Sequence, residues 1–168
     1  MALMTDAIRA EIGRTKHYPA HDALGRGGIR YFALALGDPN PLYRDDAYAK
    51  AAGHPSVIAP PTLVCETCQY ADTAPGADGY IGHEWDLPVD NVRLIRAGNE
   101  YEFTRPVLPE DEISVTWTIE DIEERPARQG GTQLYVTSRA VYDNQDGERL
   151  ATNRETIVLQ PLDPAGNP

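Results

Sequence analysis

Cysteine is nearly missing from this chain: 168 residues hold two, Cys65 and Cys68. That count rules out a disulfide scaffold, and a tetrathiolate zinc site would need a second pair. Positive charge is scarce as well, with 15 Lys and Arg against 26 Asp and Glu, a formal net charge of -11. Such a surface repels phosphate backbones, and no basic stripe with interleaved aromatics is present, so nucleic-acid binding is not expected. Long apolar runs are absent too. Nothing approaches the roughly 20 residues that cross a bilayer, and MALMTDAIRAEIGR carries acids where a secretory signal would be basic and then apolar. A cytoplasmic protein without membrane association is the expectation. What remains is 41% apolar and 24% charged residues, a globular composition, in a length that fits one domain. Residues 1–27 read as an N-terminal extension of that domain and 161–168 as a loose tail.

Thr5 ahead of DAIRAEI reads as a capped short helix, and GRTKHYPAHDALGRGG as Gly- and Pro-broken loop with a short strand. The fold proper is expected from about Gly28. In IRYFALALG, residues Ile29, Phe32, Ala33 and Leu36 recur at helical spacing, and Gly37 stands where a left-handed cap ends a helix. GDPNP is then a turn, and Asp45 or Asp46 caps a second short helix, DAYAKAAG. Pro60 and Pro61 open a third, PTLVCETCQYAD, whose mostly apolar face predicts burial at the centre of the domain. Cys65 and Cys68 share one face of that helix, where packing is favoured over redox chemistry. From Asn91 the pattern changes to alternating runs separated by PED, QGG and NQDG turns. Ile113, Val115, Trp117 and Ile119 lie on one strand face, and Leu134, Val136, Ser138 and Ala140 on another; Thr152 to Leu159 makes the last run. Helices first and an antiparallel meander after them define an α+β domain.

The stretch GDPNPLY carries the functional reading. Gly37, Asp38, Asn40, Pro41 and Leu42 match, in register, a Gly-Asp-x-Asn-Pro-aliphatic-His motif followed by a short acidic helix, and Arg105 to Asp111 matches an Arg-Pro-Val-x-Pro-x-Asp turn. On these residues the chain, from about Ile29 to Gln160, resembles the MaoC family of (R)-specific enoyl-thioester hydratases and 3-hydroxyacyl-thioester dehydratases. The resemblance implies a hotdog fold: an antiparallel β-sheet wrapped around a long central α-helix, preceded by short helices. It also implies a place in fatty-acid metabolism. Two positions depart from the family pattern. Tyr43 stands where the family has its histidine, and Ala59-Pro60-Pro61 where it has Ala-His-Gly. In lacking the histidine the chain is similar to the N-terminal, FAS1-like dehydratase subgroup, including the substrate-holding subunits of mycobacterial fatty-acid dehydratases, which work with a second, complete hotdog.

Moving water on or off a conjugated thioester needs a base, an acid for the α carbon and donors for an enolate oxygen. In the family an Asp and the His share the proton work while an Asn orients. Asp38, Asn40 and Tyr43 are therefore a degenerate catalytic set, since a phenol with a pKa near 10 is a poor base at neutral pH. Proline has no N–H to offer an oxyanion. That leaves Thr62 and the Leu63 N–H for the task, with Pro61 and Thr62 placed beside the substrate. Arg93, Arg96 and Arg105 are candidates for the phosphates of coenzyme A. His54 and His83 are the alternative imidazoles, each more simply read as a loop histidine. Pro19 breaks the His17/His21 pair as a zinc site, and no metal or cofactor is expected. Glu66 sits, by position, where some hotdog thioesterases carry a carboxylate. The expectation is a hydro-lyase subunit that holds an acyl-CoA or acyl-carrier-protein thioester, as a homodimer or as a heterodimer with a catalytic MaoC-like chain. A self-sufficient homodimeric hydratase using Asp38 with Tyr43 or a relocated histidine, and a non-catalytic acyl-binding or assembly module, stand as alternatives.

Overall fold

The computed structural model describes residues 3–65, 68–70, 72–76, 79–128 and 130–162. Four long strands, β2 (Val92–Phe103), β3 (Ser114–Pro126), β4 (Thr132–Asp143) and β5 (Arg149–Pro161), join a short β1 (Thr15–Tyr18) in one antiparallel sheet of order β1-β3-β4-β5-β2. The two hairpins form where the turn residues predict them. Gly130 and Gly131 take positive φ between β3 and β4, and Gly147 does so between β4 and β5, where Asn144 Oδ1 accepts from the Asp146 and Glu148 N–H groups.

Alternation sets the inner face. Val115, Trp117 and Ile119 point inward from β3, a bulge follows, and Ile122 resumes the face; β4 matches them across the ladder with Tyr142, Ala140, Ser138 and Val136. Ser138, polar at a core position, is satisfied by the Trp85 indole N–H at 2.8 Å. On β5 the inward set is Ala151, Asn153, Glu155, Ile157 and Leu159, so two consecutive core positions carry polar side chains.

The helix α2 (Gly25–Ala35) buries Ile29 and Ala33 and half-buries Phe32, as the spacing predicts, while Leu36 stays exposed together with Tyr31 and Leu34. Gly37 terminates it at φ +67°, with its N–H on Leu34 O and that of Asp38 on Ala33 O. Asp45, rather than Asp46, caps α3 (Asp46–Ala51), accepting from Ala47 and Tyr48 N–H; Asp46 instead ties Arg26 to the Val57 N–H.

Two expectations are corrected. Where a long central α-helix is expected over PTLVCETCQYAD, its described residues make 3-10 turns, Pro61–Cys65 and Cys68–Tyr70, while Glu66, Thr67 and Ala71 lie outside the described residues. Pro60 and Pro61 remove donors at its start and Leu63 N–H closes an i to i+3 bond on Pro60 O, while β-branched Thr62 and Val64 give little helical drive. Leu63 and Val64 still enter the central core with Ile29, Trp85 and the inner sheet face. Cys65 is half-buried; the side chain of Cys68, like Glu66, lies outside the described residues. The fold also begins well before Gly28. After α1 (Asp6–Arg9), capped by Thr5, Ile8 is buried and β1 pairs with β3 from Thr15 to Tyr18. Among the described residues no helix is long and apolar enough to cross a membrane.

Candidate functional site

The turn after α2 is built from its own side chains. Asp38 Oδ1 accepts from Asn40 N–H at 3.0 Å, and Asn40 Oδ1 accepts from Leu42 N–H at 3.1 Å, starting a single 3-10 turn, Pro41–Tyr43. The two prolines hold φ near its helical value and cost the turn no donor that it needs. Ile58 N–H then donates to Leu42 O, pinning the turn against the following segment. The result is that Asp38, Asn40 and Tyr43, singled out from the sequence, converge on one groove of about 860 Å³, whose walls also include Ala33 and Leu34 of α2, Arg30 and Arg44.

Tyr43 is buried at 8% exposure. Burial first, and the Asp38 carboxylate second, push its phenol above the ordinary value, against a lowering hydrogen bond with Asn40. Within this groove the tyrosine is a neutral O–H, further from service as a base than a free tyrosine. Neither His54 nor His83 lines the groove. The relocated imidazole is therefore not supplied by the walls described.

The expected substrate-binding residues lie elsewhere. Pro61 and Thr62 are exposed and do not line the groove, and the Leu63 N–H is spent on Pro60 O. Arg93 lies on exposed β2 and holds Gln160. Arg96 pairs with Glu155 and donates to the Tyr80 hydroxyl at 2.9 Å. Arg105 is a structural clamp: its Nη atoms meet both oxygens of Asp111 at 2.8 and 2.9 Å and Glu148 at 3.0 Å. The Arg-to-Asp spacing in that turn is thus explained by the loop's own closure. Arg30 and Arg44, which sequence reasoning passed over, are the cations that the groove does present; their neighbours on a helix and in a turn gave no pattern to find them by. His17 bonds Thr116 and His21 pairs with Asp72, so the two diverge, and among the described residues no group of three or more His, Cys, Asp or Glu is placed to hold a metal ion.

The sheet and its connections define a hotdog fold, the fold of solved MaoC-like dehydratases. More narrowly, residues 10–153 match the model of the FAS1-like dehydratase domain region, and the chain belongs to that family. It is 42% identical to a UPF0336 protein of Streptomyces avermitilis, over 89% of this chain and 92% of that one. It is 31% identical to a probable enoyl-CoA hydratase alpha subunit of Thermomonospora curvata, over 90% of this chain and 50% of that protein. Among solved structures it is similar to the ChsH1-ChsH2 complex from Mycobacterium tuberculosis, at 26% identity, a TM-score of 0.71, and coverage of 96% of this chain and 90% of that one.

Proposed function

We propose that this chain is the substrate-holding subunit of an (R)-specific enoyl-thioester hydratase or 3-hydroxyacyl-thioester dehydratase, and that a second hotdog chain supplies the Asp-His pair. The observation that carries this is Tyr43: a buried phenol with a raised pKa occupies the motif's histidine position, in a groove that no histidine lines. The acyl thioester would lie along the Asp38 groove, where apolar Ala33 and Leu34 face the acyl portion. Arg30 and Arg44, not Arg93, Arg96 and Arg105, are the cations on these walls, where they stand among Asp38, Asp45 and Asp46. The alpha-subunit name of one relative, and the two-component complex in which a similar structure was solved, support a partnered assembly. So does β2, a border strand on which Leu94, Ile95 and Phe103 are all exposed.

The test is hydration of crotonyl-CoA by the homogeneous chain and by the chain mixed with a histidine-bearing MaoC-like hotdog chain. The expected result is no turnover alone and turnover on mixing. Turnover by the isolated chain that disappears in Asp38→Asn would establish a self-sufficient hydratase instead. A mixture as active as the partner alone, with no change in KM, would establish an assembly module.

A further inference from the structure

Between β5 and β2 the sheet is hollowed by two cavities, of about 480 and 370 Å³, neither of which shares a residue with the Asp38 groove. The larger lies toward Asn153, Asn99 and Tyr101, the smaller toward Leu94 and Ile157. In the ladder these are successive stations: Tyr101 stands opposite Asn153, Asn99 opposite Glu155, Arg96 opposite Ile157 and Leu94 opposite Leu159. Four residues, Tyr80, His83, Arg96 and Glu155, line both cavities, so they make the partition between them.

The partition is a side-chain bridge. Arg96 leaves β2, pairs through Nη1 with Glu155 on β5, and donates from Nη2 to the Tyr80 hydroxyl at 2.9 Å, with its guanidinium 5.4 Å from the centre of the Tyr80 ring. The two ends of this bridge are unequal. The Glu155 side chain is 8% exposed, and breaking its pair would strand a carboxylate away from water. Tyr80 is 39% exposed, so its phenol exchanges the guanidinium for water without stranding a charge. The seat of the phenol is specific as well. A side-chain carbon added at Gly82 would stand 2.5 Å from Tyr80 Cζ, so only glycine at position 82 lets the ring lie where it meets Arg96. Beyond Gly82 the chain is fixed: His83 stacks on Trp117, the Trp85 indole N–H donates to Ser138, and Lys16 holds both Glu84 O and Asp86. Tyr80 thus closes against a frame that stays in place.

We infer that Tyr80 is a gate on this part of the sheet: it swings off Arg96 while the Arg96–Glu155 pair stays made, and the two cavities then join into one cleft that admits small solutes. The latched form is the ground state, and the open form is populated according to how much the Tyr80–Arg96 contact favours closure.

The chain carries its own reporters. It has two tryptophans, both buried, and each lines one cavity: Trp117 the larger, Trp85 the smaller. Quenching of their fluorescence by acrylamide, measured on the full chain at 25 °C, therefore reads the opening. Tyr80→Phe keeps the ring and deletes a hydrogen bond to a charged group, which should raise the open population, and the quenching constant with it, by up to about tenfold. Gly82→Ala unseats the ring from below and should act in the same direction; if that variant does not fold, Tyr80→Phe decides. Arg93→Gln, on the same strand but bonded to Gln160, should leave quenching as it is in the parent. Quenching unchanged in Tyr80→Phe, or raised as much in Arg93→Gln, would overturn the proposal and make Tyr80 a fixed piece of wall.

Discussion

Replacing Arg105 by Gln removes the guanidinium from a carboxylate that has almost no access to water. Asp111 is 2% exposed, and two of its hydrogen bonds, at 2.8 and 2.9 Å, come from Arg105. Deleting one partner of a buried ion pair costs about 3–5 kcal/mol. Here the Leu108 N–H at 2.7 Å and Asn144 Nδ2 at 3.2 Å still solvate the carboxylate, and the bond to largely exposed Glu148 adds little. About 2–4 kcal/mol of destabilisation remains, or roughly 5–15 °C in Tm for a domain of this length. The loss has a pH signature. Burial alone would raise the Asp111 carboxyl, but the bonds from Arg105, Leu108 and Asn144 outweigh it and hold the pKa below the ordinary value. A depressed carboxylate stabilises the fold above its unfolded pKa near 3.9 and loses that contribution as pH falls through the folded value. Without Arg105 the contribution is missing from the start. Thermal unfolding followed by circular dichroism should therefore show a wide gap between Arg105→Gln and the parent at pH 7 that closes below pH ~4. Adding Asp111→Asn to Arg105→Gln should recover much of the loss at pH 7. A gap that is absent, or the same at every pH, would refute the reasoning.

Other outcomes follow from the same structure. Tyr43→Phe should leave the turnover of the complete assembly within about threefold, whereas a fall of 10² or more would place the phenol in proton transfer. His83 should show no imidazole titration by NMR between pH 5 and 8, because its folded pKa is lowered to about 3. The unfolded chain takes up that proton first, so stability should fall by up to ~1.4 kcal/mol per pH unit as pH drops below about 6.5, and His83→Phe should flatten this slope. Trp85→Phe breaks the 2.8 Å bond to buried Ser138 and should cost about 1–3 kcal/mol in denaturant unfolding, part of it restored by Ser138→Ala in the same chain.

The parts of this fold that were legible in the sequence are those with local causes. Val115, Trp117 and Ile119 show their shared face by period alone, Gly37 shows the end of α2, and Asp38, Asn40 and Tyr43 stand within one six-residue turn, so their convergence needs no tertiary information. Pro61–Cys65, expected as α-helix and folded as a 3-10 turn, is a run whose apolar residues suit a helix or a packed turn equally, and the choice rests on what Leu63 and Val64 meet in the core. Arg105 looked like a free cation because its partner Asp111 is brought back by a loop, and Glu148 by a hairpin. Asn153 and Glu155 were visible as polar residues in the alternation of β5, but that they face inward toward His83 depends on strands and a connection far away in the chain. Tyr18 and His83, 65 residues apart, meet only in the folded sheet.

The N-terminal segment does more than decorate the sheet. Beyond the pairing of β1 with β3, Gly13 and Arg14 exchange bonds with Ile119, and Glu124 receives the Leu3 and Met4 N–H groups, so the outer rim of β3 is occupied along much of its length. Among the described strands the sheet accordingly ends on one side in the long β2 and on the other in the four-residue β1, so its one long open margin is β2. A single long margin favours pairing with one neighbour over open-ended stacking. Removing residues 1–18 would uncover a second margin, and the shortened chain should then string into longer assemblies instead of closed pairs.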